Sequence, residues 1–289
     1  MDMGKGTIVF AGGGVAGIAW ELGVVHGLLD ADPVLVEKLF ASGTRFVGTS
    51  AGSAVAAQLA SSAGIADSYA AQLEEETAEI GADVDMAELQ QRFVDAIEGA
   101  RSPTEALQGI GRLALETPSV DEQVRLDVIG ARLAEPGWPE RDLRITAVDV
   151  TTGEFAVFDR TSGVDLVLAI AASCAVPGVW PPVTIGSARY MDGGARSGSN
   201  ADLAAGSDWV VVVTPLPGVG DPGVGTVPTA ELEALGGAPT AIVYADAASV
   251  AAFGPNPLDP TTRRASAEAG RAVGRASAAR IAAVLDQAE

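Results

Sequence analysis

Hydrophobic positions along the chain alternate between short β-branched runs and longer stretches with helical spacing. Thr7–Ala11 is an apolar run bounded by glycine, which predicts a buried strand. Val15–Leu29 is apolar on almost every helical face, which predicts a helix buried against a sheet. Strands are also predicted at Phe46–Thr49, Leu143–Val148, Glu154–Phe158, Ala188–Met191, Trp209–Thr214 and Ala241–Ala245, and helices at Ala51–Ala63 and from about Thr262 to Leu285. This alternation predicts an α/β protein with a mostly parallel sheet covered on both faces.

The stretch Ile65–Glu140 has a different pattern from the rest of the chain. It is polar, acidic and helical in period, with breaks at Pro103, Pro118 and Pro136. We interpret it as a helical insertion, residues 65–140, within one domain that spans residues 1–289.

Composition excludes several classes of protein. With 48% hydrophobic residues in 289, the chain can bury a sizeable core, which excludes disorder. Lys and Arg number 18 against 38 Asp and Glu, a net charge of −20 that disfavours nucleic acid and anionic lipid as partners. The single cysteine, Cys174, excludes an internal disulfide framework, and with the single histidine, His26, it leaves no ordinary zinc cluster.

The same composition leaves a carboxylate-only metal site open, although no run has the spacing of an EF-hand. No segment reaches the roughly 20 apolar residues of a membrane span. The apolar stretch Ile8–Trp20 contains three consecutive glycines and lacks a cleavage site, so we interpret it as strand, loop and helix rather than as a signal peptide. We therefore expect a cytoplasmic protein.

A glycine-rich loop, Gly12–Gly17, follows the first predicted strand and opens the first predicted helix. It matches the G-x-G-x-x-G fingerprint of dinucleotide-binding proteins, in which backbone N–H groups face a bound anion. That fingerprint also requires an acidic residue at the end of the second strand, about 20 residues on. Here the second strand ends at Thr49 with no carboxylate, which weakens the dinucleotide interpretation.

The second predicted strand runs into Gly48-Thr49-Ser50-Ala51-Gly52, a G-x-S-x-G sequence. At a turn from strand to helix this is the pattern of a nucleophile elbow, in which Gly48 and Gly52 leave room for the strained turn. Ser50 would then lie at a helix N-terminus, which favours negative charge developing on an attacked ester. The alternative is a tight turn with a capping serine.

A serine nucleophile requires a base, and histidine is the usual one. His26 lies inside the first predicted helix, which runs away from the sheet edge that carries Ser50, so we expect it to be distant from the nucleophile. Asp192, followed by Gly193 and Gly194 after a short strand, is the alternative base; as a lone motif it is also compatible with an ordinary Asp-Gly turn. Asp149 and Asp159 are rivals without a glycine-rich neighbour.

Four features in this order resemble the patatin-like phospholipase family, over roughly Lys5 to Val213. They are Gly12–Gly17, Gly48–Gly52, the segment Ala172-Ser173-Cys174-Ala175-Val176-Pro177-Gly178, and Asp192-Gly193-Gly194. The resemblance implies a three-layer α/β/α sandwich and a serine–aspartate dyad without histidine.

By this resemblance Ser50 is the nucleophile and Asp192 the general base. The oxyanion hole is the glycine loop at Gly12, Gly13 and Gly14, and the segment Ser173–Pro177 supports the site. The implied substrate is a lipid or fatty-acyl ester, and no cofactor or metal is implied. One departure concerns Ala16, since the family usually has Arg or Lys at this position.

Two alternatives stay open at the level of sequence: a dinucleotide-binding oxidoreductase that uses the glycine loop, and a catalytically weak acyl-binding protein, which Ala16 suggests. We expect the insertion to border the acyl site, with Leu89, Phe93 and Ile97 lining it. Nucleic acid is not an expected partner, and membrane contact is at most peripheral. The oligomeric state and the substrate headgroup do not follow from the sequence.

Overall fold

A computed structural model of the chain describes residues 5–61, 64–217 and 227–288. Within these ranges, the strands are β1 Gly6–Phe10, β2 Arg45–Gly48, β3 Leu143–Asp149, β4 Phe155–Phe158, β5 Val183–Ile185, β6 Ala188–Asp192, β7 Trp209–Pro217 and β8 Thr240–Ala245. The helices are α1 Gly14–Ala31, α2 Pro33–Leu39, α3 Ala51–Ala60, α4 Ile65–Leu73, α5 Met86–Ile97, α6 Pro103–Glu116, α7 Glu122–Ala131, α8 Leu166–Ser173, α9 Thr229–Ala234, α10 Ala247–Phe253 and α11 Arg263–Asp286.

All of these strands belong to one sheet, in the order β5-β6-β3-β2-β1-β7-β8, with β4 paired to β3. The five strands from β3 to β8 in this order are parallel, whereas β4, β5 and β6 join by antiparallel pairing. Strand β3 pairs with β2 up to Gly48↔Ile145 and with β6 at Ala147↔Asp192. The register along β3 therefore brings the end of β2 and the end of β6 close together.

The sheet lies between two layers of helical structure. On one face, α1, α3, α8 and α11 bury the large side chains, Trp20 and Phe46 among them. On the other face, Val9 and Val212 pack with Ala201 and Ala204 of a short 3-10 turn and with Leu235, just after α9. The fold is thus a three-layer α/β/α sandwich around a mostly parallel sheet, as the sequence predicts.

Most predicted elements agree with the structure to within one to three residues at their ends. The helix predicted at Ala51–Ala63 is α3, which ends at Ala60, and residues 62–63 lie outside the described residues. Strand β5 was not predicted, because it has only three residues and follows Pro181 and Pro182, which signal a loop.

The stretch Ile65–Glu140 is helical, as expected. It contains α4, α5, α6 and α7, and no strand occurs in it among the described residues. Pro103 opens α6 behind the capping residue Ser102, whose side chain accepts the Glu105 N–H. Across the described ranges of the whole chain, no helix combines the length and the apolar character that crossing a membrane requires.

Candidate active site

Ser50 lies at the turn between β2 and α3, in a backbone conformation that side chains rarely adopt. Its φ is 53° and its ψ is −122°. The two flanking glycines permit this turn: a Cβ on Gly52 would approach the Phe10 carbonyl oxygen to 2.1 Å, and one on Gly48 would approach the Ser53 Cα to 2.5 Å. The G-x-S-x-G sequence therefore forms the strained elbow for which its spacing is typical.

The last residue of α8, Ser173, and the next residue, Cys174, hold the backbone of Ser50 on both sides. The Ser50 N–H donates to Ser173 Oγ at 2.9 Å. The Ser50 carbonyl accepts from Ser53 Oγ at 2.6 Å and from Cys174 Sγ at 3.2 Å. Burial raises the pKa of the Cys174 thiol, so this cysteine acts here as a buried hydrogen-bond donor rather than as a reactive thiolate.

Asp192, at the end of β6, is 4% exposed and lies near Ser50. Its Oδ1 accepts the Gly194 N–H at 2.7 Å, whereas its buried Oδ2 has no hydrogen-bond partner among the described residues. Burial raises the pKa of Asp192 to about 7, and the nearby Ser50 hydroxyl lowers it in part without reaching full hydrogen-bond geometry. A buried carboxylate with a free oxygen thus lies beside a strained serine.

The glycine loop packs against the same serine. A Cβ on Gly12 would lie 3.4 Å from the Ser50 Cβ. The Gly12 N–H donates to the Gly198 carbonyl at 2.8 Å, whereas the N–H groups of Gly13 and Gly14 have no acceptor in the described part of the chain. Of the predicted oxyanion donors, Gly13 and Gly14 therefore have free N–H groups, and Gly12 does not.

A buried asparagine that no sequence motif indicates connects the two halves of the site. The Asn200 amide donates to Thr49 Oγ1 at 3.0 Å, to the Gly193 carbonyl at 3.3 Å and to the Ser197 carbonyl at 2.8 Å. It thereby contacts the neighbour of Ser50 and the neighbour of Asp192 at once. The φ of Asn200 is 49°, a left-handed conformation that asparagine adopts more readily than most residues. In the sequence, an asparagine in a Gly- and Ser-rich segment predicts only a turn.

His26 has other neighbours. Its ring stacks on Tyr69 with centroids 4.3 Å apart, and its Nε2 lies 3.8 Å from Asp30 Oδ1. Burial lowers the pKa of His26. Neither Ser50 nor Asp192 is among these contacts, in agreement with the predicted separation of the histidine from the nucleophile.

The rival carboxylates cap their own turns. Asp149 Oδ1 accepts the N–H groups of Thr151 and Thr152, both at 2.8 Å, and Asp159 Oδ1 accepts the Thr161 N–H at 2.8 Å. No group of three His, Cys, Asp or Glu side chains in the described ranges is arranged to hold a metal ion.

A small cavity of about 20 Å³ adjoins Ser50, with room for about one water molecule. The insertion contributes Ile80, Arg125 and Arg132 to its lining, so the predicted proximity of the insertion to the serine is present in the structure. The expected lining residues were wrong, however. Leu89, Phe93 and Ile97 line neither this cavity nor the adjoining one of about 260 Å³, which shares Ile18 and Arg132 with it.

The packing of α5 explains why these three residues do not line the cavity. Leu89 is buried against the loop at Gly178, where a Cβ would meet it at 3.1 Å, whereas Ile97 is 41% exposed at the far end of the helix. Of the three residues that the apolar spacing selects, only Leu89 is buried, and it packs beside the site rather than into it.

Comparison with known proteins gives a family match over residues 8–205, described as patatin-like phospholipase. A search among curated proteins gives no significant match. Two solved structures are similar. The type III effector protein ExoU is 18% identical, with a TM-score of 0.43, and the match covers 96% of this chain and 53% of that one. VipD from Legionella pneumophila is 14% identical, with a TM-score of 0.36, and the match covers 73% of this chain and 50% of that one. The chain spans about half the length of these two structures.

At these identities and TM-scores, the two structures carry no conclusion about chemistry. The family match is different, because it covers more than half of the chain and includes the glycine loop, the serine elbow and the Asp-Gly-Gly turn. The chain belongs to the patatin-like phospholipase family.

Proposed function

We propose that the protein is a serine acyl hydrolase that cleaves carboxylic esters of lipids through a dyad of Ser50 and Asp192. Family membership supports the lipid hydrolase class. The observation that carries the proposal is the pairing of a serine in a strained elbow with a buried carboxyl group whose pKa is raised to about 7.

In the first half of the reaction, Ser50 Oγ attacks the acyl carbonyl and its proton passes to Asp192 Oδ2. The oxygen of the tetrahedral intermediate accepts the N–H groups of Gly13 and Gly14, which are free in the described structure. Collapse of the intermediate breaks the ester bond, and Asp192 returns the proton to the leaving alcohol. The product is an acyl-serine.

In the second half, Asp192 accepts a proton from water, and the hydroxide attacks the acyl-serine. The same N–H groups hold the second oxyanion, and Asp192 then protonates Ser50 Oγ as the fatty acid leaves. Helices α1 and α3 both begin at this point, and their N-terminal dipoles favour the negative charge of both intermediates. No cofactor enters these steps.

The structure of the site favours this proposal over a dinucleotide-binding oxidoreductase and over a non-catalytic acyl-binding protein. A bound dinucleotide would need free space beside the glycine loop, but the side chain of Ser50 packs against Gly12 in that space. An acyl-binding protein without catalysis would have no need of a buried, proton-accepting carboxyl group beside a strained serine.

Labelling by a fluorophosphonate probe tests the proposal. We expect the probe to modify the wild-type protein at Ser50, to leave Ser50→Ala unlabelled, and to react slowly with Asp192→Asn. Ser119→Ala, at an exposed position, is the matched control and should label like the wild type. A folded wild-type protein that is not labelled and hydrolyses no acyl ester would contradict the proposal.

A further inference from the structure

A short, largely buried segment, Ser197–Ala201, contacts all three parts of the proposed active site. Its Gly198 carbonyl accepts the Gly12 N–H at 2.8 Å, which holds the glycine loop. Its Asn200 amide binds the residue before the nucleophile and the residue after the base, through the hydrogen bonds described above. The glycine loop, the serine and the carboxyl group therefore share one neighbour, and its position affects all three.

Asn200 depends on its surroundings for this role. Its side-chain Oδ1 accepts from Arg196 Nη1 at 2.7 Å, and Arg196 Nη2 donates to Asp202 Oδ2 at 2.7 Å, which directs the amide nitrogen towards Thr49 and Gly193. Its backbone has a φ of 49°, which in a residue other than glycine persists only where the structure around it is well fixed.

Glu231, in α9, holds the backbone on both sides of Asn200. Its Oε2 accepts the Ser199 hydroxyl at 2.6 Å and the Ala201 N–H at 2.7 Å, so one oxygen binds the residues immediately before and after the asparagine. Glu231, Ser199 and Ala201 are all buried. Hydrogen bonds to a carboxylate are among the stronger ones, and loss of the acceptor would leave two buried donors unpaired.

The helix that carries Glu231 is itself packed on the sheet. Leu232 in α9 and Leu235, just after it, pack with Val212 of β7 and with Ala201. The carboxylate is therefore connected to the core on one side and to the Asn200 segment on the other.

We propose that Glu231 is a positioning residue of the hydrolase, which sets the relative positions of the glycine loop, Ser50 and Asp192 through Ser197–Ala201. This inference rests on the proposed function and adds to it a residue beyond the family match, which ends at residue 205. Proton transfer between a serine and its base requires hydrogen-bond distance, and a displacement of about 1 Å costs on the order of 10²-fold in rate. Loss of Glu231 should therefore slow the chemistry at each site rather than weaken substrate binding.

Kinetics per active site test the assignment, with p-nitrophenyl butyrate as the ester. Fluorophosphonate labelling to completion counts the sites with a reactive Ser50, at a temperature where urea denaturation shows each variant to be fully folded. We expect Glu231→Ala to lower kcat per labelled site about 10- to 100-fold and to change KM less than about threefold. A kcat per labelled site within about twofold of the wild type would overturn the proposal.

Two conservative variants separate the position of the carboxylate from its charge, and they serve equally if Glu231→Ala does not fold. Glu231→Gln keeps an oxygen acceptor at the same place, so kcat per site should stay within about threefold of the wild type. Glu231→Asp keeps the charge but is shorter by one methylene group, so it should resemble Glu231→Ala. The opposite order would show that the charge of Glu231, which acts on Arg196, is the cause, and would overturn the positioning role.

Thr7→Val is the matched control, because it removes another hydrogen bond of a buried side chain. Thr7 Oγ1 lies 2.7 Å from Ser207 Oγ, near the end of β1 that is remote from the glycine loop. This variant should lose stability and keep the wild-type kcat per labelled site. An equal loss of kcat in Thr7→Val would show that destabilisation alone is the cause and would overturn the proposal.

Failure of this inference is distinguishable from failure of the proposed function. If the wild type is labelled at Ser50 and hydrolyses the ester, and Glu231→Ala does so at the same rate per site, only the role of Glu231 is wrong. If the wild type is not labelled and hydrolyses no acyl ester, the hydrolase proposal itself fails.

Discussion

Asp192 owes its raised pKa to burial, and not to a neighbouring negative charge. A carboxyl group with an ordinary pKa is a weak base for a serine hydroxyl. Burial brings the pKa of Asp192 close to neutral pH, which makes the carboxylate a stronger base. The free Oδ2 is the atom that would accept the proton. The histidine, in contrast, stacks on Tyr69, where it serves the packing of α1 against α4.

Substitution of these two residues should separate their roles. We expect Asp192→Asn to lower kcat/KM for ester hydrolysis by about 10²–10⁴-fold, the range for removal of a general base, and His26→Gln to keep most of the activity. Because only the carboxylate form accepts a proton, kcat/KM should fall as the pH decreases through about 7. A steady-state pH profile checks this, and the acid limb should persist in His26→Gln. A folded His26→Gln variant as inactive as Ser50→Ala would show the dyad to be wrong.

Glu21, in the middle of α1, is fully buried, and neither carboxylate oxygen has a partner among the described residues. Burial raises its pKa well above the ordinary value of 4.5. The unfolded chain loses this proton near the ordinary value while the folded chain keeps it. The contribution of Glu21 to stability is therefore complete below that value and is lost as the pH rises towards the folded pKa.

We expect Glu21→Gln to raise the free energy of unfolding at about pH 8 by roughly 1–3 kcal/mol, and by much less at about pH 5. Urea denaturation at the two pH values measures both differences. An equal gain at both values would mean that titration of Glu21 is not the cause.

At the scale of elements, α1 and α11 approach each other through four glycines. A Cβ on Gly270 would lie 2.1 Å from the Trp20 carbonyl oxygen, and one on Gly23 would lie 2.2 Å from the Ala267 carbonyl oxygen. Gly27 and Gly274 make equivalent contacts one turn further along. Any side chain at these positions would push the two backbones apart.

Gly270→Ala should therefore destabilise the protein, although alanine is the better helix former. We expect a loss of about 1–3 kcal/mol from overpacking. Gly130→Ala in α7 is the matched control, since nothing lies within 4 Å of its added methyl group. There the substitution should stabilise by about 0.5–1 kcal/mol through helix propensity. Thermal unfolding of the two variants gives the comparison, and similar shifts in Tm would contradict the proposed backbone contact.

For the whole molecule, local patterns in the sequence predicted most strands and the longer helices in their order, but not the short helices α2, α8, α9 and α10. Apolar periodicity identified most strands and the buried α1, and the spacing around Ser50 indicated the elbow. The same patterns missed contacts between distant segments. Nothing near Asn200 or Arg125 in the sequence indicates that one connects Thr49 with Gly193 or that the other stacks on Trp180 beside the serine. Likewise, helical spacing placed Leu89 on a buried face but did not show which neighbour that face meets.

The close packing of α1 on α11 also determines how far the chain can be shortened. The family match ends at residue 205, but β7, which pairs with β1, and α11, which covers α1, both follow it. Pro257, whose carbonyl accepts the Ala16 N–H behind the glycine loop, also lies after residue 205.

A shortened gene product that stops after residue 205 would expose the edge of β1 and the apolar surface of α1, so we expect it to accumulate as insoluble aggregates. Co-expression of residues 206–289 as a separate chain should restore soluble protein and fluorophosphonate labelling. A soluble, reactive fragment 1–205 would mean that the C-terminal third is dispensable and that the chain is not one folding unit.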